Sequence, residues 1–136
     1  MFKETVEKYY PEMKAIREDL HRHPEPSHFE NRTNRRVREQ LRTHQIDMLC
    51  PKDNITIAVI RGAKPGRTVG LRFDTDALQM QELCDVLYKS ETDGLMHGCG
   101  HDAHTTCGVF VARLLKAHAD ALCGTYKIIF QPAEEG

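Results

Sequence analysis

Residues 55–73 decide the fold: Ile55-Thr56-Ile57-Ala58-Val59-Ile60, then Gly62-Ala63-Lys64-Pro65-Gly66, then Thr68-Val69-Gly70-Leu71-Arg72-Phe73. The first block is β-branched and mostly apolar, the second has turn chemistry, and the third is again strand-like. Together they predict two strands joined as a hairpin. Toward the N-terminus, Phe2, Val6, Tyr9, Met13, Ile16 and Leu20 recur at steps of four and three, one face of a helix. Pro11 falls inside that pattern and either kinks the helix or begins a second one. Pro24 and Pro26 disfavour helical geometry in the residues before them, which ends the helix near His23. Ser27-His28-Phe29-Glu30 has the spacing of a capping box, with Ser27 as N-cap and Glu30 at N3. It predicts a second helix to about Gln45, with Phe29, Thr33, Val37 and Leu41 on one stripe. Toward the C-terminus, residues 79–95 show no period and predict loop or short helix. The pattern is helical from Asp102 to about His118, with Cys107, Phe110, Val111, Leu114 and Leu115 apolar. Cys123-Gly124 breaks it, and Tyr126 to Phe130 is a buried-type strand. This order predicts an α/β sandwich with a mixed sheet.

Composition bounds the function. The chain has 136 residues, enough for one domain with a real core. Its net charge of −1 argues against bulk binding to nucleic acid or to a membrane surface. No run of apolar residues is long enough to span a bilayer. No apolar stretch follows Met1-Phe2-Lys3-Glu4, so no secretory signal and a cytoplasmic location are expected. Five cysteines, an odd number without an export signal, predict free thiols. Arg32, Arg35, Arg36, Arg38 and Arg42 crowd one helix without interleaved aromatics, and read as a solvated face rather than a nucleic-acid patch.

Three polar clusters lie at element ends: Asp74-Thr75-Asp76 after a strand, His97-Gly98-Cys99-Gly100-His101-Asp102 with His104 at a helix start, and Glu134-Glu135 after the last strand. In open α/β sheets, ligands bind beyond the carboxyl ends of strands, so the three are expected to share one crevice. The residue types match a metal site. A thiolate and an imidazole two residues apart on a glycine-flexible loop can hold one ion or divide between two, with carboxylates closing the shell. The helix start is expected to favour thiolate at Cys99 and carboxylate at Asp102. Of two adjacent glutamates, one can ligate while the other serves as general base toward water that the ion acidifies. Cys50, Cys84, Cys107 and Cys123 are scattered and read as core or surface thiols. His21, His23, His28, His44 and His118 lie in helical or loop contexts and are expected to be structural or solvent-facing, without acidic partners.

Four motifs then show a resemblance. Leu20-His21-Arg22-His23-Pro24-Glu25, Leu71-Arg72-Phe73-Asp74-Thr75-Asp76-Ala77-Leu78, Met96-His97-Gly98-Cys99-Gly100-His101-Asp102-Ala103-His104-Thr105 and Ile129-Phe130-Gln131-Pro132-Ala133-Glu134-Glu135-Gly136 resemble, in order, motifs of the metal-dependent amidohydrolases that include hippurate hydrolase, N-acyl-amino-acid hydrolases and auxin-conjugate hydrolases. The resemblance implies a zinc-peptidase-like α/β/α sandwich with a two-metal centre, Mn²⁺ or Zn²⁺, that hydrolyses the amide bond of a small N-acyl amino acid. It implies Cys99, His101 and Glu135 as metal ligands, Glu134 as general acid/base, and Asp76 as the residue orienting a ligand histidine. Asp74 stands where more distant relatives carry a ligand histidine. Gln79 replaces the family's usual proline, Gly98 its usual alanine, and Pro26-Ser27-His28 a shorter link.

The family's remaining ligands and its lid lie beyond the Glu-Glu-Gly motif. Residues 1–136 are therefore expected to be the N-terminal portion of the catalytic domain. The lid and dimerisation domain would be absent, the sheet incomplete, and an edge near Tyr126 to Phe130 left unpaired. A homo-oligomer is expected of the full-length protein. A dipeptidase or carboxypeptidase of the same superfamily, or a non-catalytic metal-binding fragment, are the alternatives.

Overall fold

The computed structural model describes residues 2–136; the side chain of Phe2, first on the predicted stripe, lies outside the described part. The order is α1 (Phe2–Arg22), α2 (Asn31–Thr43), β1 (Asp47–Lys52), β2 (Ile55–Arg61), β3 (Lys64–Asp74), α3 (His101–Ala117), a 3₁₀ turn (Ala119–Ala121) and β4 (Cys123–Gln131). Pro11 lies inside α1 without ending it. The strands form one mixed sheet in the order β1-β2-β4-β3.

The predicted hairpin does not form. β4 lies between the two strands, antiparallel to β2 and parallel to β3. The physical reason lies at the turn. The N–H groups of Gly62, Ala63 and Lys64 are taken by the carbonyls of Gly124, Ala119 and Leu122, from β4 and the turn before it. This draws β4, with its apolar run Ile128-Ile129-Phe130, into the centre. β2 pairs instead with β1, antiparallel. β1 (Asp-Met-Leu-Cys-Pro-Lys) is almost wholly exposed and so lacks the alternation that marks a strand. The sheet edges are accordingly β1 and β3, and the expected open edge at Tyr126 to Phe130 is a correction. Pro65 sits at the start of edge strand β3, where its missing N–H is tolerated.

The core joins Ile16 and Leu20 of α1, Val37 and Leu41 of α2, Val109, Phe110 and Ala112 of α3, Ala58 and Ile60 of β2, and Ile128 and Phe130 of β4. The strand members are alternate residues, so they share one sheet face, and all three helices cover it. Gly108 sets how close α3 comes. A Cβ there would lie 2.8 Å from Phe73 Cγ and 2.9 Å from Phe130 Cε1.

The capping box is also corrected. α2 starts at Asn31, and its first N–H groups are capped by Glu25, whose oxygens accept from Arg32 N at 2.8 Å and Thr33 N at 2.7 Å. Ser27 and Glu30 point elsewhere, and Phe29 is exposed rather than on the inward stripe. The arginines of α2 are largely engaged within the chain. Arg32 and Arg36 bind Asp19 of α1 at 2.9 and 3.2 Å. Arg38 donates to the carbonyls of Lys52, Asp53 and Ile55.

Two measurements test this packing. Gly108→Ala should destabilise the fold by about 1–3 kcal/mol in chemical denaturation, because two rigid rings must yield. Burial pushes the Asp19 carboxyl up, but Arg32 and Arg36 outweigh it and hold it below its ordinary value. Its contribution is therefore full above the unfolded carboxyl's pKa and is lost as pH falls through the lower folded one. Asp19→Asn should cost ~1 kcal/mol at pH 7, and the gap from wild type should close in strong acid.

Candidate metal centre

β3 and β4 run parallel with Phe73 beside Phe130 and Asp74 beside Gln131, so they end at the same level. Thr75 fastens the exits together, donating both its N–H and its Oγ1 to Gln131 O at 3.0 Å. Thr105 of α3 donates its hydroxyl to Asp74 O at 2.9 Å, bringing the helix start to the same edge. Gly100, at the N-cap of α3, has φ of 92°, a left-handed conformation that suits glycine.

At this edge Cys99, His101 and Glu135 each offer a ligand atom, all within 4.8 Å of one another. Asp76 organises them. It is buried, and its Oδ2 accepts from Ser27 Oγ at 2.7 Å and from Glu135 N at 2.9 Å. His101 Nδ1 faces Asp76 O at 3.0 Å and Asp76 Oδ1 at 3.2 Å. Both are acceptors, so the ring proton belongs on Nδ1 and the Nε2 lone pair is free to ligate. Nε2 lies 3.8 Å from Glu134 Oε2 and 3.9 Å from Glu135 Oε1. Burial pushes Asp76 up, but the N–H of Glu135 and the Ser27 hydroxyl, with further backbone N–H groups, hold it below the ordinary carboxyl value. The thiol of Cys99 is pushed up by its hydrogen bond to Glu135, by burial and by the surrounding carboxylates. That direction is opposite to the thiolate expected at the helix start.

A soft sulfur, an imidazole nitrogen and a carboxylate oxygen within this spacing fit a divalent transition-metal ion, whose ligand distances are about 2.0–2.3 Å. A cleft of about 470 Å³, lined by Pro26, Ser27, Phe29, Leu78 and Gln79, opens beside Glu135.

Other predicted members of the crevice stay out of this group. Asp74 is tied to Arg72 Nε at 3.2 Å, and its own N–H donates to His104 Nδ1 at 3.1 Å. His97 is buried with neither ring nitrogen hydrogen-bonded, and burial pushes it down to about 4. The sequence reading missed a buried ionic cluster behind the loop. Asp102 Oδ2 meets Arg17 Nε and His21 Nδ1, each at 2.7 Å, and His21 Nε2 meets Glu82 Oε1 at 3.0 Å. His21 thus has two acidic partners, 81 and 61 residues away in sequence. Only its place in the Leu-His-Arg-His-Pro-Glu motif signalled it.

Residues 70–136 match the model described as peptidase family M20/M25/M40. A solved structure of a Bacillus subtilis protein, described as a dinuclear metal binding peptidase from the M20 family, superposes with a TM-score of 0.92 at 39% identity, over 95% of this chain and 37% of that one. Residues 70–136 of this chain are a stretch of peptidase family M20/M25/M40. Among curated relatives, N-acetylcysteine deacetylase of Bacillus subtilis (strain 168) is 43% identical over 88% of this chain and 32% of its own length. Thermostable carboxypeptidase 2 of Saccharolobus solfataricus is 43% identical over 88% of this chain and 31% of its own. The chain spans about a third of the length of these relatives. A Cβ at Gly98, where the family resemblance gives alanine, would meet Met80 Sδ at 2.6 Å, a flexible and exposed side chain that can move aside.

His21→Leu should destabilise the fold by about 3–5 kcal/mol in urea titration, because Asp102 and Glu82 lose the ring that separates and pairs them. A loss under 1 kcal/mol would show that Arg17 alone satisfies the cluster.

Proposed function

We propose that residues 1–136 are the N-terminal part of the catalytic domain of a metal-dependent amidohydrolase that cleaves the amide bond of small N-acyl amino acids. The observation that carries this reading is the convergence of Cys99, His101 and Glu135, with the Glu134 carboxylate beside them. In it, Cys99, His101 and Glu135 hold a divalent ion, Mn²⁺ or Zn²⁺, and Asp76 fixes the tautomer of His101. The bound ion supplies Lewis acidity that acidifies water and polarises the scissile carbonyl. Glu134 takes a proton from the attacking water and passes it to the leaving amine nitrogen as the C–N bond breaks. The cleft beside Glu135 gives room for part of the substrate. Three protein ligands complete one metal shell at most, so the ligands of a second ion, and the lid, are assigned to the remainder of the full-length protein. The likeness to a deacetylase supports acyl-group removal. The equal likeness to a carboxypeptidase supports a second reading, peptide substrates at the same centre.

In the full-length protein, Glu134→Gln should keep its metal by elemental analysis yet lose about 10²–10⁴ in kcat, the worth of a general base. Glu135→Gln and Cys99→Ala should instead lower the metal bound per chain. Equal behaviour of the two glutamate variants would overturn the roles. A panel of N-acetyl amino acids and peptides with free C-termini separates the two substrate readings.

A further inference from the structure

Glu30 is the most unusual buried acid outside the site. Its exposure is 0%, and among the described residues no lysine or arginine pairs with it. It is not needed to cap α2, because Glu25 does that. Its partners are two backbone N–H groups and one side-chain amide. Oε1 accepts from Ala133 N at 2.7 Å and from His28 N at 3.0 Å, and Oε2 accepts from Asn54 Nδ2 at 3.2 Å. Ala133 and His28 are two of the three non-glycine residues with positive φ among the described residues, at 52° and 74°. Left-handed backbone is disfavoured for any residue with a Cβ and persists where surrounding structure enforces it. One carboxylate oxygen thus grips the N–H groups of two strained residues. One of them is the residue immediately before Glu134 and Glu135, at the point where the chain leaves β4 through Pro132.

We propose that Glu30 is a positioning residue for the glutamate pair: by holding Ala133 in its left-handed turn, it aims Glu134 and Glu135 at His101. This rests on the metal-centre reading above and adds a residue to it. Ser27, three residues earlier, does the companion task by donating to Asp76, which in turn accepts from Glu135 N. The Ser-x-x-Glu segment therefore braces both sides of the centre from outside it. Burying an anion without a cation is costly, and full hydrogen bonding to N–H donors is what makes it tolerable.

The test is Zn²⁺ titration by calorimetry on the full-length protein. Glu30→Met fills the space but removes both acceptors. It should weaken Zn²⁺ binding by about 10–100-fold, as loss of support around a ligand does, whereas Glu30→Gln, which keeps one acceptor oxygen, should stay much closer to wild type. The decisive readout is rescue. Glycine adopts positive φ without strain, so adding Ala133→Gly to Glu30→Met should recover a large part of the lost affinity, and gain less in the wild-type background. A role in stability alone would give no such rescue. If Glu30→Met fails to fold, Ala133→Val with Glu30 intact should show the same weakening, because a β-branched residue resists the left-handed turn. Wild-type affinity in Glu30→Met, absence of rescue, or unaltered binding in Ala133→Val overturns the proposal. If Glu135→Gln also leaves Zn²⁺ binding unchanged, the metal-centre reading has failed and this proposal falls with it. If Glu135→Gln weakens binding and Glu30→Met does not, only the positioning role of Glu30 is lost.

Discussion

The parallel register between β3 and β4 is the constraint from which the site follows. With Phe73 beside Phe130 and Asp74 beside Gln131, both chains leave the sheet at one level. Each exit carries its acids within five residues: Asp74 and Asp76 on one side, Glu134 and Glu135 on the other. A slip of one residue would turn every side chain of β4 to the opposite face, burying Lys127 where Ile128 now sits. The register is thus set by the hydrophobic core, and the acids inherit their meeting point from it. α3 depends on the same contact. Gly108 rests on Phe73 and Phe130, the paired rings of the two strands, and this close approach carries the loop of Cys99 and His101 over the strand ends.

Much of this was legible in the sequence, and what was not shares a physical character. α3 and most of the inward faces of α1 and α2 followed from periodicity, since burial imposes it, and β4 from its unbroken apolar run. The residues that converge, Cys99, His101, Glu135 and Asp76, stood out as chemistry at element ends. Strand adjacency was not legible: two strands separated by a short turn look like a hairpin whether or not a third enters between them. Nor can four letters distinguish a capping box from a tether. Ser27 and Glu30 have the right spacing for local N–H groups, but their partners are Asp76 and Ala133. The acidic partners of His21 were missed for the same reason, because its carboxylates arrive from distant segments.

The acids at this end of the molecule fall into two electrostatic groups. Asp102 and Glu82 are held in place by Arg17, His21 and the N–H of Ser90. Asp76 is satisfied by a hydroxyl and backbone N–H groups, and Asp74 is ion-paired with Arg72. Glu134 and Glu135 have no lysine or arginine partner among the described residues. Their hydrogen bond and charge push the pKa of the Cys99 thiol up. Anions that raise a thiol's pKa are the same anions that stabilise a cation placed among them, so the shift marks the spot where positive charge is lacking.

Polar burial is distributed unevenly, and that unevenness has a function. The apolar core is complete around Leu20, Leu41, Ile60 and Ile128. Toward the strand ends it gives way to buried Glu30, Thr75, Asp76, Asp102 and Thr105, each held by specific hydrogen bonds. Such groups contribute less to stability than apolar residues of the same volume would. What they supply instead is direction: a hydrogen bond fixes an orientation, whereas apolar contact does not. Asp76 dictates which nitrogen of His101 is free, and Glu30 holds the backbone beside Glu134 in a conformation it would not choose. The cost of orienting these groups is met once, in folding, so that it need not be met again each time a ligand arrives.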